Sequence, residues 1–513
     1  MPPKNLIFIL SDQHNRNITG AYGNPIIQTP NLDRLAERGT TFKNAYTNCP
    51  ICVPARASLA TGRYVHQIRY WDNAFPYDGC IESWGHRLKQ QNYQVDSIGK
   101  LHFRGSHDDN GFCQEIDPLY VVDGLGDVLG CIRNDPPTRD KRGEINNAGT
   151  GDSTYLQYDT SNADQACQWL AKHRNDQNPW VLFLSFVCPH PPYISPEEFY
   201  QLYSKDQIPL PAQWHIDEWP DHPAIARFRD FFTYSDLRDE ERLRNFLGAY
   251  YGVCTYLDQQ IGRVLQTMEE YHLLDTSRII YTSDHGESLG ARGLFGKFTM
   301  YDESAAVPFI IAGADVPKNK VVETPISLVD CFPSIIEAVG GHLVEEDVDL
   351  PGKSIWEIAQ TSNQDRFAFS EYHAVGSENA IYMLRNRQYK YIYYVDDPVQ
   401  LFDLQADPEE NQDLSNLPEY QEILQFFDKE STWVTRFVVK GGLNAVRKNV
   451  NGEEIFTQEI LQVDGQKYFH EGFRFRIQSF GSPKGGFDSW HVDYVFLNQD
   501  RDFADLSFFD RGI

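Results

Sequence analysis

A chain of 513 residues exceeds what one ordinary hydrophobic core organises, so at least two domains are expected. Apolar residues at 41% and charged residues at 23% are those of a soluble globular protein, and the net charge of −27 excludes nucleic acid and anionic membranes as partners. An anionic small substrate stays open, because screening over roughly 8 Å lets a local cluster of Arg and Lys dominate a pocket.

The N-terminal Met1-Pro2-Pro3-Lys4-Asn5 runs into an apolar segment with no long h-region or cleavage site. No stretch approaches the roughly 20 apolar residues of a membrane helix. Nine scattered cysteines do not read as a disulfide framework, and a reducing, cytoplasmic setting is expected. Leu6-Ile7-Phe8-Ile9-Leu10 has the pattern of a strand buried on both faces of a mostly parallel sheet. Ser11-Asp12-Gln13-His14 stands at its carboxyl end, where open α/β sheets place their functional crevice. Asp12 there reads as a metal ligand and equally as an N-cap or turn residue. A helix over residues 31–39, closed by Gly39, and a strand near residues 41–45 are predicted next.

Residues 48–63 organise the rest of the chain. Cys49 and Cys52 open the segment, Pro50 and Pro54 break it, Arg56 follows Cys52 by four positions, and small residues run on to Gly62. A loop therefore feeds a helix, and Cys52 lies beside unpaired helix N–H groups and a guanidinium, which favour negative charge. A buried hydrophobic cysteine is the commonest reading of any single Cys. Cys49 and Cys52 have the spacing of a zinc half-site, but no second CxxC or HxxxH pair closes it. A Cys-dependent phosphatase loop needs its Arg six residues after the Cys, where Ser58 stands.

An aromatic turn over residues 70–76, a helix over 84–91 and a strand over 95–103 follow. Period-two alternation puts Lys100 and His102 on one side of that strand, a cation and an imidazole suited to binding a tetrahedral anion and moving a proton; a solvated strand edge explains them as well. Residues 112–153, rich in Asp, Gly, Pro and Asn, read as loops shaping an entrance. A helix over 160–173 and a buried strand over 180–187 lead to Cys188-Pro189-His190-Pro191, where His190 is placed for acid catalysis or is a structural loop histidine. Residues 236–271 have helical spacing. The strand over 278–283 delivers Asp284-His285-Gly286-Glu287, whose carboxylate and imidazole suit a divalent cation. A glycine-bearing loop over 290–296 ends in Lys297, and a strand over 307–312 comes after it. Beyond a composition shift near residue 365, strands over 380–384, 389–394 and 400–404 and a helix over 419–437 make a small α+β domain. The β-rich pattern from residue 440 onward carries no recognisable chemistry.

Cys52-x-Pro54-x-Arg56, with Ala57-Ser58 and Thr61-Gly62-Arg63, resembles the signature of type I sulfatases, a branch of the alkaline phosphatase superfamily in which that Cys is oxidised to formylglycine. Asp12-Gln13, Gly99-Lys100-x-His102, Pro189-His190-Pro191, Ser283-Asp284-His285-Gly286-Glu287, Lys297 and Leu401-Phe402-Asp403-Leu404 match further family elements in the same order. The resemblance implies an α/β fold. A large, mixed, mostly parallel sheet sandwiched by helices would form a catalytic domain over 1–365. A small C-terminal α+β domain with an antiparallel sheet would follow over 366–438, and a β-rich tail over 439–513. It implies one divalent cation, Ca2+ ahead of Mg2+ or Mn2+, held by Asp12, Gln13, Asp284, His285 and the modified Cys52. Arg56 would brace the hydrated aldehyde, and Lys100 and Lys297 would bind the ester oxygens. His190 would protonate the leaving oxygen, and His102 would take the proton whose loss releases the product.

The implied reaction is hydrolysis of a small-molecule sulfate ester to inorganic sulfate and an alcohol, after maturation by a formylglycine-generating enzyme; homo-oligomerisation is left open. Gln13 and His285 stand where many arylsulfatases carry Asp and Asn, and the pair is similar to that of choline sulfatases and phosphonate monoester hydrolases. A phosphonate monoester or phosphodiester hydrolase is therefore the alternative, and a non-catalytic binding protein on the same fold is a third reading.

Overall fold

The computed structural model describes residues 4–133, 136–203, 205–361 and 365–431, and the tail expected over 439–513 lies outside them. The chain divides into two compact units, 1–424 and 425–513; the architecture below is that of the first. Its strands begin with β1 (Asn5–Asp12), β2 (Gly39–Phe42), β3 (Ala45–Tyr46), β4 (Gln94–Lys100), β5 (Gln114–Leu119) and β6 (Gly149–Thr150). β7 (Trp180–Pro189), β8 (Ile194–Ser195), β9 (Ser277–Ser283), β10 (Phe309–Gly313), β11 (Lys320–Val322) and β12 (Ile326–Ser327) follow. Eight of them form one sheet in the order β11-β2-β10-β9-β1-β7-β4-β5, while β3 pairs with β12 and β6 with β8. Only β10 runs against its neighbours β9 and β2, so the sheet is mixed and mostly parallel, as the sequence implies.

Both faces are covered, which is why β1 and β7 read as unbroken apolar runs rather than as alternating ones. Leu6, Phe8 and Leu10 share a core with residues of the helices Cys52–Thr61, Trp84–Gln90 and Cys331–Ala338. Ile7 and Ile9 point the other way, into a core with residues of the helices Thr154–His173 and Glu240–Glu270. Each such side chain, fully withdrawn from water, contributes roughly 1.5–3 kcal/mol. Gly99 lets β4 close on β7: its φ is 91°, and a Cβ there would stand 2.2 Å from the Ser185 carbonyl oxygen.

Three readings of the sequence need correction. The stretch expected to be loops contains β5, a partly exposed edge strand whose polar residues and Pro118 hide its period; Pro is tolerated there because an edge leaves ladder positions unused. β4 ends at Lys100, and His102 lies beyond it in the left-handed region (φ 59°), so simple alternation does not aim the pair. The helix expected over 31–39 is Pro30–Glu37, and Gly39 opens β2 instead of capping it.

A second, antiparallel sheet follows, with β13 (Ala368–Tyr372), β14 (Ile381–Arg385), β15 (Tyr389–Tyr394) and β16 (Gln400–Asp403) side by side in chain order. The helix Gln421–Ser431 comes next. This sheet belongs to the same compact unit as the large one. A buried ionic network ties this sheet to Arg16, Tyr46 and the segment 300–302. Lys390 Nζ, on β15, donates to Asp302 Oδ1 at 2.5 Å and to the Met300 carbonyl at 2.9 Å, and lies 2.6 Å from Glu410 Oε1. Asp302 also accepts from Arg16 at 2.7 Å and from the Tyr46 hydroxyl at 2.9 Å. Among the described residues no helix is long and apolar enough to cross a membrane.

Glu371, on β13, makes a further tie. It accepts from the His66 backbone N–H at 2.9 Å, from His66 Nδ1 at 2.8 Å and from His373 Nε2 at 2.9 Å. Burial raises its carboxyl, but the hydrogen bonds and charges of the two histidines outweigh burial and hold it down at about 2. A depressed acid stabilises the fold above its unfolded value and loses that contribution as the pH falls through its folded value. Glu371→Gln is therefore expected to be destabilised by up to about 3 kcal/mol near neutrality and to converge on the wild type between about pH 4 and pH 2. Thermal midpoints of both proteins across that range check it; a gap that does not narrow in acid contradicts the assignment.

Candidate active site

Four adjacent central strands, β9, β1, β7 and β4, deliver Asp284, Asp12, His190 and Lys100 at their carboxyl ends. Cys52 is brought to the same place as the first residue of the helix Cys52–Thr61, which is buried along its length and closed by Gly62 in the left-handed region. Its small residues allow that burial, and its N-terminus contributes a positive end. One of its unpaired donors, the Val53 N–H, is accepted by Asn73 Oδ1 at 3.1 Å.

Cys52 Sγ lies 3.0 Å from Lys297 Nζ, 3.2 Å from His285 Nε2 and 3.7 Å from Asp12 Oδ1. Asp12 Oδ2 is 2.6 Å from Lys100 Nζ and 3.2 Å from Arg56 Nη2. Arg56 uses its whole fork: Nε donates to Asp284 Oδ2 at 2.8 Å, and Nη1 donates to the Lys100 carbonyl at 2.8 Å and to Ser185 Oγ at 3.0 Å. Gln13 Oε1 accepts from Lys297 Nζ at 2.9 Å. His102 and His190 both sit in the field of Asp12 and Lys100. Asp12, Gln13, Cys52, Arg56, Lys100, Asp284, His285 and Lys297 are thus joined by direct contacts, and His102 and His190 lie near enough to Asp12 and Lys100 to feel their charge. Gln13 (φ 68°) and His102 are left-handed without being glycine, strain of the kind that clusters at functional sites.

Burial raises Asp12, but Lys100, His190, Arg56 and Lys297 overcome it and hold the carboxyl well below the usual range. Burial and Asp12 push the Cys52 thiol up, and Lys297, His285 and Lys100 bring it below its ordinary value. Burial together with Lys100 presses His190 well below the ordinary imidazole value, and burial with Lys100 and Arg56 does the same to His102. A bound anion would offset the cationic part of both shifts. The protein is acidic overall, yet this recess is cationic.

One carboxylate oxygen each of Asp12 and Asp284, the His285 nitrogen and the Cys52 sulfur all lie within 4.8 Å of one another, fully withdrawn from solvent. His285 Nδ1–H donates to the Gly286 carbonyl at 3.0 Å, which turns Nε2 toward these donors. Two carboxylate oxygens and an imidazole nitrogen are hard and borderline donors of the kind that hold a divalent cation, and the set fits one.

Sequence reading passed over three contributors. Ser185 is the polar residue in an otherwise apolar strand, a signal visible in Leu184-Ser185-Phe186. Tyr193, just after the His190 turn, donates to Glu287 Oε2 at 2.8 Å. Glu287 itself was visible only as part of a motif.

The chain matches the family described as Sulfatase over residues 4–341, and N-sulphoglucosamine sulphohydrolase, C-terminal, over residues 290–434. It belongs to the sulfatase family, within the alkaline phosphatase-like superfamily, and is a sulfuric ester hydrolase. Among its relatives, a choline-sulfatase of Rhizobium meliloti (strain 1021) is 31% identical over 434 residues, 81% of this chain and 82% of that protein. Arylsulfatase K of Rattus norvegicus is 29% identical over 453 residues, 83% of this chain and 77% of the other. Of solved structures, the phosphonate monoester hydrolase of Agrobacterium radiobacter superimposes with a TM-score of 0.67 at 22% identity, covering 83% of this chain and 94% of that one. A structure in complex with its substrate D-glucosamine-2-N,6-O-disulfate gives 0.67 and 22%, covering 83% and 97%. These two likenesses speak to the fold.

Proposed function

We propose that this chain hydrolyses a small-molecule sulfate ester with a formylglycine made from Cys52 by a maturation enzyme. The observation that carries the reading is the position of Cys52: a buried sulfur at a helix N-terminus, within 3.0–3.7 Å of Lys297, His285 and Asp12. Asp12, Gln13, Asp284 and His285 would hold one divalent cation, Ca2+ by the preponderance of hard oxygen donors. Together the hydrated aldehyde and the cation supply an oxygen nucleophile at neutral pH and a second hydroxyl for releasing the product.

The chain's own residues do the rest. Arg56, pinned by four acceptors, fixes both aspartates relative to one another and to the helix that carries position 52. Lys100 and Lys297 neutralise charge that grows on the ester oxygens. His190 donates its Nδ1 proton to the Pro191 carbonyl at 2.8 Å, which leaves Nε2 to carry a proton to the leaving oxygen. Among the described residues His102 Nδ1 has no hydrogen-bond partner, and it takes the proton whose removal frees sulfate.

The name of one relative makes choline sulfate a probe worth including, beside an aryl sulfate. Mass analysis of the Cys52 peptide from the native source is expected to show the aldehyde, and the aryl sulfate is expected to be turned over faster than the matching aryl phosphonate monoester. An unmodified thiol throughout, or cleavage of the phosphonate alone, would overturn the reading. Metal analysis of the purified protein identifies the ion.

A further inference from the structure

Glu287 is fully buried and meets the cation-binding residues singled out above through Gln13. It accepts four hydrogen bonds. On one side, Oε1 takes the Leu289 N–H at 3.2 Å and the Gly296 N–H at 2.5 Å. On the other, Oε2 takes the Tyr193 hydroxyl at 2.8 Å and a short contact from Gln13 Nε2. Gly296 is the neighbour of Lys297, so one carboxylate holds both the Lys297 loop and the Gln13 amide.

The chemistry leaves that amide a single orientation. A carboxylate only accepts and an ammonium only donates. Gln13 sits between Glu287 and Lys297, so its NH2 must face Glu287 and its carbonyl oxygen must face Lys297, which it meets at 2.9 Å. We infer that Glu287 is a positioning residue that fixes the polarity of Gln13, and through it the presence of an oxygen rather than an NH2 beside Lys297 and the cation-binding donors. It follows that position 13 is Gln, not Asp or Glu, because a carboxylate there would confront that of Glu287. The inference rests on the cation-binding reading above, and its test is separable from it.

Glu287→Gln is nearly isosteric and keeps Oε1 for the Leu289 and Gly296 N–H groups, but it sets an NH2 against the NH2 of Gln13. The amide is then expected to turn over and present its own NH2 to Lys297. A 10–100-fold loss in kcat on an aryl sulfate and a weaker affinity for Mn2+, titrated by the resonance of the free ion, are expected. The double variant Gln13→Glu with Glu287→Gln restores donor to acceptor at every contact, and is expected to recover Mn2+ affinity and thermal midpoint relative to either single change. Unchanged kcat and Mn2+ affinity in Glu287→Gln, or a double variant no better than the worse single one in both affinity and midpoint, would overturn it. Should the protein fail to hydrolyse sulfate esters, the affinity and midpoint comparisons still decide the role of Glu287.

Discussion

Cys52→Ala is expected to lower kcat/KM for a sulfate ester by at least about 10^4-fold, because it removes the thiol whose oxidation creates the aldehyde. The fold is expected to survive. Lys297 keeps Gln13 Oε1 at 2.9 Å, and Asp12 keeps Lys100 and Arg56, so each charged neighbour of the sulfur retains a hydrogen-bond partner. A wild-type thermal midpoint beside absent turnover separates chemistry from unfolding. Cys52→Ser sharpens the test: one hydroxyl can take up a sulfuryl group, but no second oxygen is available to expel it, so a single stoichiometric turnover is expected in place of sustained hydrolysis. Steady turnover by the alanine variant within tenfold of wild type would remove position 52 from the chemistry.

The largest stability effect is expected from Lys390→Met. Lys390 is wholly buried, and its ammonium stands between Asp302 at 2.5 Å and Glu410 at 2.6 Å. Removing one member of a buried ionic group leaves the others uncompensated and costs on the order of 3–5 kcal/mol. Glu410 reports the imbalance. Burial, with help from Asp302, pushes its carboxyl up to about 7 even while Lys390 restrains it. Without Lys390 it rises further, and an acid with a raised folded value contributes stability that is present in acid and lost as the pH rises. The gap between variant and wild type is therefore expected to widen from about pH 5.5 to about pH 8.5. Thermal midpoints at both ends check it, and adding Glu410→Gln is expected to restore part of the loss. A gap independent of pH would show that Glu410 does not sense Lys390.

Much of this was legible in the sequence because the core strands and the chemistry are neighbours along the chain. β1 and β7 are apolar runs and β9 is built around Ile279-Ile280-Tyr281, and Asp12, His190 and Asp284 stand at or just beyond their ends, so locating the strands located the donors. What stayed hidden depends on contacts between distant segments. Lys390 lies in Tyr389-Lys390-Tyr391-Ile392, where period-two reading assigns a Lys to solvent; only the fold reveals Asp302 and Glu410 waiting for it. The strand Ala368–Tyr372 begins at the composition shift itself, and its alternation is too short to stand out. The turn that aims His102 is a backbone property, a left-handed residue after the strand, and no side-chain pattern encodes it.

The sheet order carries a consequence for biosynthesis. β1 is made before β7 and β9, yet it takes its place between them, and their residues are made some 170 and 265 positions later. Asp12 gains Asp284 beside it only after residue 284 has been translated, and Lys297 opposite only after residue 297. The nascent chain therefore holds an unassembled acidic strand end over that interval, and completion of the cup waits on the arrival of the later segments.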